Sequence, residues 1–306
     1  MDIQDWSLVV FTIFAQMAVG AFIVLGIIHT IALRSHDAGK ADRLTDRALL
    51  AIGPILIFSF LASLLHLGSP LIAWRAVANF GTSWLSREIV FGAAFVIVGG
   101  GFALMQWRKI ATFQVRRAIA VVAAVIGVAF VFSMAQVYML PTQPAWDSIA
   151  TPVAFMATTL LLGSLAVGVA LVATYAHLRR QDDGVDADLL DLLQRSLRLV
   201  GIGAVVLVGV QMVTAPLHVA ALAGGDSAAV SSAALMLQGY GDVFALRLVF
   251  AFAGAAILGV FLYKSTYDAD PQRLASPLIH GALGLVLIAE VLGRYMFYAT
   301  NVPVSV

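Results

Sequence analysis

The sequence predicts an all-α polytopic membrane protein, a bundle of eight transmembrane helices that makes one integral membrane domain of residues 1–306. Two observations carry this expectation. The hydrophobic fraction is 61% and the charged fraction 11%, which leaves too little polar surface to cover a soluble globule of this length, so lipid has to be the solvent for much of the chain. The apolar residues also gather into eight runs of roughly twenty, the length that carries an α-helix across a bilayer. Runs this uniformly apolar satisfy their backbone hydrogen bonds as helices, because barrel strands would alternate polar and apolar residues.

The spans are expected at 8–33, 49–65, 89–106, 118–138, 153–176, 199–219, 243–263 and 277–298. The first follows an acidic start, Asp2 and Asp5, and is too long for the apolar core of a cleaved signal, so it is read as a retained helix. Between spans five and six, Asp182, Asp183, Asp186, Asp188 and Asp191 stand beside arginines. That loop reads as a solvated connector ending in a short amphipathic helix that leads into span six. The spans divide there into two groups of four, with no residue-level repeat between them to suggest an inverted-repeat transporter.

Charge sets the expected orientation. Of the 18 Lys and Arg, fourteen lie in alternate loops: Arg34, Lys40, Arg43 and Arg47; Arg108, Lys109, Arg116 and Arg117; Arg179, Arg180, Arg195 and Arg198; Lys264 and Arg273. The positive-inside rule makes those loops cytoplasmic and turns both termini to the outer side. Arg75, Arg87, Arg247 and Arg294 then fall in or near the outer face, where they either snorkel and pair locally or mark a docking or ligand face. Arg75 and Arg87 are the candidates for partner docking. A net charge of +1 and the lack of a basic patch interleaved with aromatics argue against a nucleic-acid partner. With no cysteine, the chain can form no disulfide and hold no iron-sulfur cluster on thiolates.

The most specific stretch is His66-Leu67-Gly68-Ser69-Pro70, continuing through Trp74, Arg75, Trp84, Arg87 and Glu88 into span three. It resembles the DmsC family, the membrane-anchor subunits of dimethyl sulfoxide reductase, where a histidine, leucine, glycine, serine, proline run precedes a glutamate that opens the next helix. The resemblance runs the length of the chain. It includes Phe11-Thr12-Ile13-Phe14 with Gln16 and Gly20, Val137-Tyr138 with Pro144 and Trp146, Tyr240-Gly241 with Arg247, and Glu290, Gly293, Arg294, Phe297 and Tyr298. One departure is Ile72, two positions after the proline, where the family often has arginine; here Arg75 stands three residues further on. The resemblance implies a complex of three subunits: a molybdenum-cofactor catalytic subunit, an electron-transfer subunit with iron-sulfur clusters, and an anchor without haem that oxidises menaquinol. It also implies that His66 and Glu88 belong to the quinol site.

The residues themselves suit that chemistry. Quinol oxidation releases two electrons and two protons, so the site needs groups that hold the ring oxygens and accept protons near neutral pH, as a histidine and a carboxylate do. His66 closes span two and Glu88 opens span three on the same side, while Gly68 and Pro70 let the chain leave the helix sharply. Trp74, Phe80 and Trp84 give the loop an interfacial character. Each of the pair also has a plain structural use, His66 bonded to a carbonyl and Glu88 set at a helix N-terminus. Around them, Tyr138 and Tyr298 are candidate hydrogen-bond donors to a quinol oxygen, and Glu290 and Arg294, four apart, are candidates to support the site from behind, their plain use being an internal salt bridge. Gln16 reads as an interhelical hydrogen bonder. Three rivals remain: a haem b anchor using facing pairs among His29, His36, His66, His177, His218 and His280, a transporter without a redox role, and a purely structural anchor that takes no quinol.

Overall fold

The structure, a computed structural model, describes residues 3–35, 38–65, 75, 77–181, 185–267 and 271–304. Among these, eight helices are long and apolar enough to cross a membrane, and no strand occurs. They are α1 (Ile3–Ser35), α2 (Ala38–Leu64), α3 (Trp84–Trp107), α4 (Phe113–Gln136), α5 (Ala150–Arg180), α6 (Ala187–Ala223), α8 (Gly241–Tyr267) and α9 (Pro271–Ala299). A short α7 (Ser227–Ala234) and a π turn (Leu235–Gly239) fill the connection from α6 to α8. Several helices start at a capping side chain: Ser83 accepts from the Ser86 amide, Thr112 from Val115, Asp186 from Leu189 and Asp226 from Ala229. Each satisfies one of the orphan donors that open a helix. Between α3 and α4 the chain turns through two left-handed residues, Lys109 (φ 53°) and Ala111 (φ 66°).

α1 and α5 are the most enclosed of the eight and pack along each other. Their backbones touch. A Cβ placed on Gly163 would lie 2.2 Å from the Gly20 carbonyl carbon, and one on Gly20 would lie 1.8 Å from the Thr159 carbonyl oxygen. Small residues let membrane helices approach this closely, and dispersion contacts then replace the hydrophobic drive that lipid removes. α1 to α4 gather on one side of this seam and α5 to α9 on the other, so the two groups of four spans are real neighbours in space. Large apolar side chains such as Ile97, Val125, Leu217 and Phe252 stand exposed around the bundle, as a lipid-facing surface requires.

With eight crossings, the first and last described residues, Ile3 and Val304, lie at one end of the bundle, here termed the terminal end. It is stitched by Trp146 Nε1 donating to Phe297 O at 2.7 Å, the Val304 amide to Thr142 O at 3.0 Å, and Asn301 to Gln143. The opposite, basic end is held by ions. Lys109 donates to Asp42 at 2.6 Å and Asp46 at 2.7 Å, Gln106 donates to both carboxylates, and Lys40 bridges to Asp186 and Asp188 at 2.6 Å. The Lys40 hydrogen bond, with the Leu189 amide behind it, holds the Asp186 carboxyl below its ordinary value.

Three boundaries depart from the sequence expectation. α2 begins at Ala38 and not at 49, because the charged stretch 40–47 is helical and anchored by the Lys109 and Lys40 pairs. The amphipathic helix expected before span six is continuous with it, giving the 37-residue α6. The outer loop expected after span six contains α7, whose signal was Asp226 standing before a run of Ser and Ala.

Candidate functional site

At the terminal end, α3, α4 and α9 bring polar side chains together under an aromatic cover. Glu88 sits one turn into α3 and is buried, 8% exposed. Among the described residues its carboxyl has no hydrogen-bond partner. α4 stops at Gln136, so Tyr138 turns back into the bundle, where its hydroxyl meets that of Tyr298 from α9 at 2.9 Å. Burial first, then the neighbouring Tyr298 and Glu88, push the Tyr138 phenol well above its ordinary value, against a weaker pull from Arg294. Tyr138 therefore remains a protonated donor, and Glu88, Tyr298 and Arg294 all lie within electrostatic reach of it. The rings of Trp146, Phe155, Phe297 and Tyr298 surround Tyr138 with centroids 5.3–5.9 Å away.

Arg294 lies one turn below Tyr298 and is 5% exposed. Its Nη2 donates to Gln16 Oε1 of α1 at 2.9 Å, and its guanidinium lies 3.7 Å from the centre of the Phe155 ring. Arg294 Nε and Gln16 Nε2 make no hydrogen bond among the described residues. The expected salt bridge from Glu290 to Arg294 does not form. Glu290 turns instead to α5, where Thr158 donates to it at 2.5 Å, and Gln211 of α6 donates in turn to Thr158 at 3.4 Å. Beyond this relay lies a cleft of about 110 Å³ lined by Gln211, His218, Arg247, Glu290 and Arg294. Arg247 covers Gly293 so closely that a Cβ there would lie 2.6 Å from its Nε.

The structure thus joins Glu88, Tyr138, Tyr298 and Arg294, and sets Glu290 one turn deeper on the α5 side. His66 and Trp74 lie outside the described residues. Of the four arginines read as an outward set, Arg294 is interior and Arg247, half-buried, lines the cleft. Arg87 folds onto its own loop, donating to the Phe80 and Gly81 carbonyls at 3.0 and 2.8 Å with its guanidinium 4.1 Å from the Trp84 ring. Arg75 is exposed. Thr158 and Gln211 escaped the sequence reading; their signal was polarity in otherwise apolar spans. His29 and His218 sit at opposite ends, one against Thr45 at 3.1 Å and the other against Ala145 O at 3.0 Å.

The family model for the DMSO reductase anchor subunit (DmsC) matches residues 1–300. The chain belongs to that family. A DmsC-family protein is the membrane anchor of a molybdoenzyme complex with catalytic and electron-transfer partner subunits. Similar proteins include the C subunit of the anaerobic dimethyl sulfoxide reductase of Escherichia coli (strain K12), 30% identical over 99% of this protein and 96% of that one. The anaerobic dimethyl sulfoxide reductase subunit YnfH of the same strain is 29% identical over 99% of this protein and 96% of its own length. Among solved structures, the bd oxidase from Geobacillus thermodenitrificans superposes with a TM-score of 0.58 over 97% of this protein and 85% of that one. At 12% identity that likeness concerns the fold alone. Within the DmsC pattern, Gln16, Glu88, Tyr138, Arg294 and Tyr298 come from separate stretches of sequence and meet at the terminal end.

Proposed function

We propose that this anchor oxidises menaquinol at its terminal end and passes the electrons to an iron-sulfur subunit docked there, which feeds a molybdenum-cofactor catalytic subunit. The supporting observation is Glu88, a buried carboxyl that makes no hydrogen bond among the described residues and lies within electrostatic reach of the Tyr138–Tyr298 pair. Buried polar groups are ordinarily paired, and one that is not is a candidate for chemistry. In this reading Glu88 and His66 accept the two protons as quinol becomes quinone, and two electrons leave to the nearest cluster of the partner. Tyr138 and Tyr298 position the site, and the aromatic cover excludes water. Arg75 contributes to partner docking, and Arg87 does so by bracing the Phe80–Gly81 turn from the start of α3. The terminal end faces the periplasm, on the support of the basic residues collected at the other end.

The test uses the intact complex. Glu88→Gln and His66→Ala are each expected to abolish oxidation of a menaquinol analogue, while the complex assembles and its dye-linked reductase activity persists. Wild-type quinol oxidation in either variant removes that residue from the site.

A further inference from the structure

A large cavity lies at the other end of the molecule. It has a volume of about 490 Å³, is enclosed by α1, α2, α3 and α4, and opens to the surface. Its walls are apolar, with Phe22, Leu25, Leu49, Phe102 and Val121 among them. Its polar rim is basic: Arg34 from the last turn of α1, and Arg116 and Arg117 from the start of α4. Arg116 is fixed by donating to Gln106 Oε1 at 2.9 Å and Ala111 O at 2.8 Å. Among the described residues Arg34 and Arg117 are exposed and form no ion pair. The described acids nearby, Asp46, which lines the cavity, and Asp42, share Lys109, which leaves one net negative charge against the three arginines. His29 is engaged with Thr45 and lies 3.7 Å from Asp42. The cavity is therefore an apolar-walled trough with surplus positive charge at one end.

Its length identifies the occupant. From Arg34 to Phe22 the trough follows twelve residues of α1, about 18 Å at 1.5 Å per residue, close to one leaflet of a hydrocarbon core about 30 Å thick. A compact soluble anion would use the arginines but not the apolar walls. A quinone would use the walls but leave three guanidiniums without a counter-charge. We propose that this cavity is a binding site for an anionic phospholipid, its phosphodiester held by Arg34, Arg116 and Arg117 and an acyl tail laid between α1 and α4. The lipid then completes the packing of the α1–α4 half at the basic end, where the four helices leave a gap.

Native mass spectrometry of the full-length protein, titrated with phosphatidylglycerol and separately with phosphatidylcholine, reads the site directly. One phosphatidylglycerol should be retained with about tenfold preference. The double variant Arg34→Gln with Arg117→Gln should lose that preference while keeping the helical circular dichroism of the wild type. Ala120→Phe, which places a ring in the cavity and leaves the arginines, should lose the bound lipid as well. Equal retention of the two lipids by the wild type, or an undiminished preference in both variants, overturns the proposal. So does displacement of the lipid by inorganic phosphate alone or by a menaquinone analogue, the first identifying a soluble anion and the second a quinone as the occupant.

Discussion

Glu88 and Glu290 are both buried carboxyls in a membrane bundle, and their neighbours separate their roles. Glu290 accepts from Thr158, and a glutamine there still accepts that bond. Glu290→Gln is therefore expected to leave quinol oxidation close to wild type and to change stability by less than about 1 kcal/mol, measured by turnover and by the thermal unfolding midpoint. A fall in turnover comparable to that of Glu88→Gln would place Glu290 in the site. Tyr138→Phe removes a hydrogen bond inside an aromatic cluster, at a cost of about 1 kcal/mol and a midpoint lower by about 1–2 °C. An unchanged midpoint would show that the hydroxyl pair contributes nothing. The i,i+4 spacing of Glu290 and Arg294 suggested a salt bridge, since sequence spacing reveals neighbours on one helix only. Their actual partners, Thr158 and Gln16, are 132 and 278 residues away. Tyr138 and Tyr298 were legible as candidates but not as partners of each other, for the same reason.

The helices were legible because lipid imposes one rule on all of them: about twenty apolar residues with every backbone group paired internally. What lay outside the hydrocarbon was not. The first turns of α2 are as charged as a loop, and only their pairing with Lys109 and with the start of α6 explains why they are helical. Lys109→Met leaves Asp42 and Asp46 without their common cation. Because the pair is partly exposed, the loss is expected to be about 1 kcal/mol, seen as a lower unfolding midpoint that high salt makes equal to the wild type. Persistence of the difference in high salt would mean that packing, not charge, is at stake. The α1–α5 crossing is stricter. Gly163→Val drives a side chain into the Gly20 backbone, and a cost above about 3 kcal/mol should appear as a protein that fails to accumulate in the membrane. Normal accumulation would mean that the two helices do not approach as closely as described.

For the whole molecule, membership of the DmsC family and the eight-helix bundle were both readable in the sequence, the first from the His66 to Glu88 stretch and the closing pattern on α9. The division of labour between the two ends emerged only from the fold. One end gathers Glu88, Tyr138 and Tyr298 under aromatic rings, and the other gathers ion pairs around an apolar trough. If quinol is oxidised at the terminal end and its protons leave there, the anchor moves no net charge across the membrane. Vesicles holding the intact complex should then develop no membrane potential during turnover, and an uncoupler-sensitive potential would contradict outer release. The two ends also present two separate apolar sites, which allows a decisive comparison. A photoreactive menaquinol analogue, activated in the intact complex and mapped by peptide mass spectrometry, should label residues 66–88 and the Tyr138 region, and Glu88→Gln should reduce that labelling. Labelling confined to α1 and α4 around Arg34 and Arg117, with none near Glu88, would contradict the account.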